Sequence, residues 1–320
     1  MTNDDPLQEI HQAASLLGLS ADASDESTAA GKGTAASSAL FPADEAVGLV
    51  PAAQSPTTED GKLRLGGMAL GNGLLVHGPT HWAAAVRARD GRIAVASGKK
   101  LRLAMADRVP GLRGVVRLAE ATSVTLLVKR RLPEARLPFQ NPTVLAVAVG
   151  AAAAGSQLRR RTEPSMLVEL LGVGVSMAPA IAALRGGELA SYHGVEHKAI
   201  AAYEQDAADA ADASKEHERC GSHLITPMIA SNLVGSALLR RLGRYAPSWG
   251  ASAVSFASIG IAVEVFSWCE RHPGSVPARV LRRPGYELQR VLGTREPDER
   301  QLEVGRAALA EILRVEVAAA

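Results

Sequence analysis

The sequence is poor in the residues on which several classes of protein depend. Aromatic residues make up only 3% of the 320 positions, so base-stacking surfaces for single-stranded nucleic acid are not expected. The net charge is only +2, and the basic residues are scattered, which argues against a nucleic-acid groove. Two cysteines, Cys220 and Cys269, are too few for a disulfide framework and are typical of a reducing compartment. The first residues lack the basic and apolar regions of a signal peptide, so we expect a cytoplasmic N-terminus.

The N-terminal part of the chain changes character twice. Residues 1–60 are rich in Ala, Ser, Asp, Thr and Pro, bury too little apolar surface to fold, and are predicted to form a disordered tail. After them, glycines separate short apolar runs, and the Asp90-Gly91 pair between two such runs favours a β-hairpin. A helical period over residues 110–127 predicts an amphipathic helix that could lie on a membrane surface. Residues 61–130 are therefore predicted to hold a small β unit followed by this helix.

Four nearly uncharged stretches follow, each close to the length that crosses a bilayer core. They cover residues 142–158, 165–184, 223–239 and 250–269. Trp249 and Trp268 bracket the last stretch, which fits the aromatic belts of membrane helices. A mean hydropathy of +0.05 averages this apolar middle with polar ends. The alternative is four buried helices of a soluble bundle, because short apolar runs do not distinguish the two.

These elements predict a mainly α fold, a polytopic membrane helical bundle of about four spans with a small N-terminal β-hairpin unit and a disordered tail. The bundle would occupy residues 131–275 and the C-terminal helical tail residues 276–320. Four spans put both termini and the loop 185–223 on one side of the membrane. More basic residues lie near the span ends on that side, so the positive-inside rule places both termini and the loop in the cytoplasm of a multi-pass cell-membrane protein.

The segment with the clearest chemistry lies within that loop. His193 and His197 are four residues apart, so on a helix both imidazoles leave one face and can bind one ion. Glu196 completes a His-x-x-Glu-His pattern, the inverted zinc-protease arrangement, in which a carboxylate activates a metal-bound water. Glu196 is thus the candidate catalytic base. The alternative is a pair of structural or surface histidines, because short motifs also occur by chance.

A second cluster strengthens the metal hypothesis. His217 and Cys220 are the preferred additional ligands, because imidazole and thiolate suit zinc. His223 is a secondary candidate that could instead cap the next helix, and Cys220 could be a small buried thiol. Lys198 and Arg219, beside the ligands, are also secondary candidates. The cofactor predicted by these residues is a divalent metal, zinc above all.

Other features are weaker signals. Glu264 and Glu169 lie inside predicted spans, where a carboxylate is a functional candidate. Glu264 would lie toward the cytoplasmic end and could approach the histidines, whereas Glu169 would lie near the opposite face and snorkel or pair with Arg161. The glycine-rich residues 66–78 lack the ending of a phosphate-binding loop and are interpreted as structural turns, so no further cofactor site is predicted.

Residues 192–198, followed by residues 217–222, resemble the YqhQ-like family, bacterial membrane proteins that share domain of unknown function 1385. Three further segments agree with this family in the same order along the chain. They are the glycine signature at residues 66–79, the arginine-glycine segment at residues 110–116 and the C-terminal signature at residues 284–297. The resemblance covers roughly residues 66–309. It implies a polytopic membrane protein with a metal-dependent activity.

The chain departs from the family pattern within the glycine signature. Met68 and Asn72 stand where the family usually has Gln and Glu, and His77 stands at its usual Arg. If the missing carboxylate served the chemistry, this member would be altered or inactive. The leading hypothesis is a membrane-embedded metal-dependent hydrolase acting on a small molecule, lipid or peptide. The alternative is a non-enzymatic membrane protein, such as a transporter, scaffold or partner subunit, with a structural histidine cluster. The sequence leaves the oligomeric state open.

Overall fold

The computed structural model describes residues 61–101, 113–161, 165–185, 187–242 and 249–319. The predicted disordered tail lies outside the described residues, as do the first residues of the arginine-glycine segment. The described part is mainly helical, with one small antiparallel sheet, which confirms the predicted fold class. The division into domains stays a prediction.

The sheet is a four-stranded meander. Its strands are β1 (Gly66–Leu70), β2 (Gly73–His77), β3 (His81–Arg87) and β4 (Ile93–Lys99), hydrogen-bonded in that order. The predicted Asp90-Gly91 turn joins β3 to β4. Gly91 adopts a φ of +88°, which glycine reaches without strain, and its amide donates to the Ala88 carbonyl at 3.1 Å. The hairpin prediction is therefore correct, and the glycine-rich segment before it forms two further strands.

Eight α-helices follow the sheet within the described part of the chain. They are α1 (Arg113–Arg131), α2 (Pro142–Arg161), α3 (Met166–Arg185), α4 (Glu188–Gln205), α5 (Ile225–Leu242), α6 (Gly250–Arg271), α7 (Val276–Leu288) and α8 (Glu299–Val317). A π-helical turn, Gln289–Gly293, extends α7.

Both faces of the sheet are covered by helices. Because side chains alternate along a strand, Leu74, Val76 and Ala83 point to one face, where they pack against α4 and α8. Leu75, Trp82 and Val86 point to the other face. There they meet the buried side chains of α1 and the turn after it, which are Val124, Val128, Leu132, Ala135 and Leu137. Residues 276–320, predicted as a tail, thus contribute α8 to this core.

Three helices are long and apolar enough to cross a membrane. They cover Leu167–Arg185, Gly221–Leu242 and Gly250–Arg271, with only 6%, 11% and 22% of their apolar windows buried inside the protein. Apolar helices that stay this exposed are typical of contact with lipid rather than with water. The apolar stretch of α2, Pro142–Leu158, is shorter. The sequence predicted about four spans. In the described part of the chain, three helices are long and apolar enough to cross a bilayer.

The bundle places the ends of its helices beside the sheet. α2 packs antiparallel to α3, α5 packs on α6, and α3 contacts α5. The last turn of α3 and the first turn of α5 therefore lie at the same end, where Leu184 and Gly221 line a common cavity. Gly187, with a φ of +86°, separates α3 from α4. This bend carries the chain from the bundle into the helix that bears the histidines.

Candidate metal centre

Helix α4 presents its two histidines as neighbours one turn apart. The ring centroids of His193 and His197 are separated by 4.4 Å. Tyr192 and Val195, on other faces of α4, are buried in the core under the sheet. Because the apolar side of the helix is packed on the sheet, the direction of the two imidazoles is fixed.

Each imidazole is held by a backbone carbonyl. The His193 Nδ1 lies 2.8 Å from the Gly293 oxygen, and the His197 Nδ1 lies 2.6 Å from the Lys215 oxygen. A carbonyl only accepts, so in both rings Nδ1 carries the proton and Nε2 keeps its lone pair. The His197 Nε2 is buried and has no hydrogen-bond partner in the described part of the chain. A ring oriented by a carbonyl, with a bare Nε2, is typical of a metal ligand.

Cys220 brings a thiol to these nitrogens. Its Sγ lies 3.4 Å from the His193 Nε2. One donor atom from each of His193, His197 and Cys220 lies within 4.8 Å of the other two. A tetrahedral zinc ion, with bonds of about 2.0–2.3 Å, needs donor atoms about 3.3–3.8 Å apart. Two imidazoles and one thiol fit such an ion if the largest donor–donor distance, which is at most 4.8 Å, shortens by about 1 Å.

The three donors open into a cavity of about 540 Å³. Their wall of the cavity also includes Glu196, and apolar side chains such as Leu184 and Leu189 line another part. Structural zinc sites are closed by four protein ligands, whereas catalytic ones keep one position open. A three-donor group that faces a cavity of this size has room for a molecule beside the ion.

Glu196 is a nearly buried carboxylate in that wall, with 7% of the residue exposed. Among the described residues, no hydrogen bond or ion pair engages its oxygens. The side chain crosses strand β1 at Gly67, where an added Cβ would lie 2.7 Å from the Glu196 Cγ and 2.8 Å from Oε1. Only glycine at position 67 leaves this space, so the glycine signature and the histidine motif meet at one point.

His217 lines the cavity but lies outside the three-donor group. Its ring centroid is 5.7 Å from that of His197. Its Nε2 is 3.2 Å from Glu204 Oε2, and its Nδ1 accepts the Arg219 amide at 3.2 Å. Arg219 also lines the cavity, donates to the Leu65 carbonyl at 3.1 Å and forms an ion pair with Glu204. Both His217 nitrogens therefore already have partners.

Lys198 points away from the cavity. With 3% exposed, its ammonium donates to the carbonyls of Ala211 and Ala213 at 2.9 and 2.8 Å and pairs with Glu296 at 2.7 Å. These contacts tie the connection after α4 back onto the helix. That connection leads to Lys215, whose carbonyl orients His197, so Lys198 supports the cluster indirectly.

A fully buried glutamine holds the loop that carries Cys220. Gln289 accepts the His217 amide at 2.8 Å and donates to the His217 carbonyl and to Ser222 Oγ at 3.2 and 2.8 Å. It also contacts the His223 Nε2 at 3.2 Å, while the His223 Nδ1 bonds the Arg282 carbonyl at 2.9 Å. Sequence reasoning placed Gln289 in the C-terminal signature but gave it no role. His223, a secondary candidate ligand, is engaged in this same network.

The positions that depart from the family pattern lie in two places. Met68 and His77 line the cavity, whereas Asn72 does not. Asn72 donates to the Arg87 carbonyl at 2.9 Å and accepts the Arg136 amide at 2.8 Å, joining the first hairpin to the segment after α1. A carboxylate at position 72 would lie in this buried connection and not in the wall of the metal centre.

Neither of the two carboxylates predicted inside spans lines the cavity of the metal centre. Glu264, on α6, is not among the described residues that line the cavity. Glu169, on α3, forms an ion pair with Arg240 of α5 at 3.2 Å. Its predicted partner, Arg161, has a side chain outside the described residues. The Glu169–Arg240 pair lies at the end of the bundle opposite the metal centre.

Residues 175–315, which include all three donors and Glu196, match the family model described as Protein of unknown function (DUF1385). This confirms the resemblance to the YqhQ-like family. The uncharacterized protein YqhQ of Bacillus subtilis (strain 168) is 31% identical over 129 residues. That match covers 39% of this chain and 40% of the relative, so the chain spans well under two thirds of the protein it resembles. No solved structure matches the chain.

Proposed function

We propose that the protein is a metal-dependent hydrolase of the cytoplasmic membrane. The single observation that supports this most is the buried His197 Nε2, which has no hydrogen-bond partner among the described residues and lies within 4.8 Å of donors from His193 and Cys220. A buried polar atom without a partner costs about 1–3 kcal/mol. A divalent metal, zinc above all, would remove that cost and would be held by these three residues, with the fourth position left open toward the cavity.

The remaining residues have roles that follow from their positions. A bound ion of this kind acts as a Lewis acid and supplies activated water near neutral pH. The Glu196 carboxylate, which has no hydrogen-bond donor among the described residues, would accept the proton of the attacking water at one oxygen and return it to the leaving group, which balances the hydrolysis. Gly293 and Lys215 would keep the Nε2 atoms of His193 and His197 turned toward the ion through their carbonyls. Arg219 would offer a positive charge in the cavity wall.

The proposed membrane arrangement follows from the bundle. The metal centre lies at the helix ends formed by Leu184 and Gly221, and the positive-inside rule favours the cytoplasm for this end. Both termini would lie on the same side if α2 crosses the membrane together with the three longer helices. The site would then open at the boundary between the lipid and the cytosol.

The second candidate is a non-enzymatic membrane protein in which the cluster is structural. The Glu196 carboxylate favours the enzyme, because within the described part of the chain it is nearly buried beside the three donors with no hydrogen-bond donor, and a structural centre does not require such a group. Glu196→Gln separates the two functions. The hydrolase loses its ability to complement a deletion strain at normal abundance, whereas a structural protein retains it.

Metal analysis of the detergent-purified full-length protein tests the centre itself. We expect close to one zinc or similar ion per chain in the wild type and in Glu196→Gln. The double variant His193→Ala/His197→Ala should lose it. His77→Ala, which changes another histidine of the same cavity, is the matched control and should keep it. Equal metal content in the double variant and the control would refute the proposal.

A further inference from the structure

A second cavity lies within the membrane bundle. It has a volume of about 480 Å³ and lies between α3, α5 and α6. Its lining runs along α3 from Val168 to Ala180, a length of about 18 Å at 1.5 Å per residue. Met177 of α3 and Ile229 of α5 both line it. We refer to this space as the intramembrane groove.

The walls of the groove are less polar than their composition indicates. Three serines line it, but each hydroxyl is bonded to a carbonyl of its own helix. Ser176 donates to Val173 at 2.7 Å, Ser255 to Ala251 at 3.0 Å and Ser258 to Val254 at 2.7 Å. Hydroxyls that bond back to the helix present mainly their carbon atoms to a neighbour. The other polar lining residues are Asn232 and Glu169, and Glu169 pairs with Arg240 at the end of the groove that lies away from the metal centre.

The groove and the metal cavity are lined by neighbouring turns of the same two segments of the chain. On α3, Ala180 lines the groove and Leu184, one turn later, lines the metal cavity. On the other side, Ile225 lines the groove and Ser222, one turn earlier, lines the metal cavity. One helical turn is about 5.4 Å, so the two cavities follow each other along the same pair of helix ends. The groove lies within helices suited to lipid, and the metal cavity lies where those helices end.

We propose that the substrate is a membrane lipid whose acyl chain lies in the intramembrane groove and whose polar head reaches the metal cavity. This rests on the proposed function, because it deepens the assignment of the same metal centre. An apolar chain suits walls of this kind, and the surrounding bilayer supplies one without passage through water. The head would meet the three donors, Glu196 and the charge of Arg219. A small water-soluble substrate would need the metal cavity but not the groove.

The chain offers a matched pair of glycines for the test. Gly172 lines the groove, whereas Gly174, on the same helix, does not. An added Cβ at either position meets no atom within 4 Å among the described residues, so both positions have room for a side chain. Gly172→Leu therefore fills the groove, and Gly174→Leu adds the same side chain to the exposed surface of α3.

The experiment uses full-length protein in phosphatidylcholine–phosphatidylglycerol vesicles with two photoreactive phosphatidylglycerols. One carries a diazirine near the end of its acyl chain, and the other carries it on the head group. We expect the chain probe to label Met177 and Ile229 and the head probe to label Leu184 and Leu189. Both signals should fall at least about fivefold in Gly172→Leu and remain unchanged in Gly174→Leu.

The outcomes separate this inference from the proposed function. Equal labelling in the two glycine variants, or crosslinks between two copies of the chain at Met177, would overturn the lipid assignment, even with one metal per chain. The groove could also be labelled as predicted in a protein that contains no metal. That result would overturn the proposed hydrolase activity and leave the lipid-binding groove in place. Metal content measured on Gly172→Leu should equal that of the wild type, because the variant changes no donor.

Discussion

The Cγ of Glu196 lies 2.7 Å from the point where any side chain at Gly67 would place its Cβ. The two residues are far apart in sequence, on strand β1 and helix α4, and they belong to two different signatures of the family. Their contact sets the position of the proposed general base. The histidine motif alone fixes only which helix bears the carboxylate, whereas the strand fixes where the carboxylate lies.

Gly67→Ala should destabilise the protein by moving Glu196. Overpacking of this kind costs about 1–3 kcal/mol, and the displaced carboxylate should also reduce complementation in cells. Metal content should stay near one ion per chain, because the three donors are not touched. The free energy of unfolding in detergent measures the first effect and metal analysis the second.

The matched control for this prediction is a double-mutant cycle. Glu196→Ala removes the Cγ that the new methyl group would meet, so Gly67→Ala should cost much less in that background. The expected coupling energy is on the order of 1 kcal/mol or more. Equal costs in both backgrounds would mean that the methyl group is accommodated without contact with Glu196.

The sequence predicted the local elements of the site better than their assembly. The spacing of His193 and His197 was enough to predict a shared helix face, and the Cys220 prediction followed from residue type and proximity. These features depend on residues close in sequence, and such residues follow helical periodicity directly.

The contacts that orient the site could not be predicted. The carbonyls of Gly293 and Lys215 carry no sequence signal, because every residue has a carbonyl. Gln289 acts across more than sixty residues, and its role depends on a π-helical turn that periodicity does not reveal. His217 was predicted as a ligand because imidazole suits zinc and the residue lies near the first histidine pair, whereas in the fold its two nitrogens contact Glu204 and Arg219. Long-range packing decides these positions.

Gln289→Leu should weaken metal binding without touching a donor. The change leaves the half-buried His217 amide and carbonyl without Gln289, at a cost of up to about 1–3 kcal/mol for each unsatisfied group. The loop that carries Cys220 would loosen, and loss of such outer contacts typically lowers metal affinity about 10–100-fold. Competition with a zinc chelator measures this change.

Gln205→Leu, at an exposed position of α4, is the matched control and should bind metal as the wild type does. Equal affinities in the two variants would contradict the assigned role.

The pair Glu311–Arg314 should make the stability of the folded protein depend on pH in the acidic range. Hydrogen bonds from Arg314, at 2.7 and 2.8 Å, lower the pKa of Glu311, and Ser97 of β4 adds a further one. A carboxyl whose pKa is lower in the folded state contributes stability above its unfolded value, about 4.3, and loses it as the pH falls through the folded value. Between pH 5 and 3 the unfolding midpoint should therefore fall less in Arg314→Gln than in the wild type. Parallel pH profiles would show that this pair contributes nothing to acid sensitivity.

Cysteine labelling with a membrane-impermeant maleimide tests the orientation of the bundle. Ser165→Cys lies before α3, at the end away from the metal centre, and Gly274→Cys lies after α6, at the near end; both positions are exposed. We expect intact spheroplasts to label Ser165→Cys, and Gly274→Cys only after permeabilisation. The native Cys220 and Cys269 are buried and should give a low background. The opposite pattern would place the metal centre outside the cytoplasm.

Glu134→Cys, before α2, decides whether that helix also crosses. The apolar stretch Pro142–Leu158 is about 26 Å long at 1.5 Å per residue, slightly less than the roughly 30 Å of a typical bilayer core. A small mismatch of this kind is met by thinning of the bilayer or by snorkelling of flanking basic residues, at a modest cost. We therefore expect Glu134→Cys to be protected, like Gly274→Cys. Labelling of Glu134→Cys from outside would mean that only three helices cross the membrane. The sheet and α8 would then lie on opposite sides of the membrane. Because α8 packs against β3, that result would contradict the fold as well as the four-span arrangement.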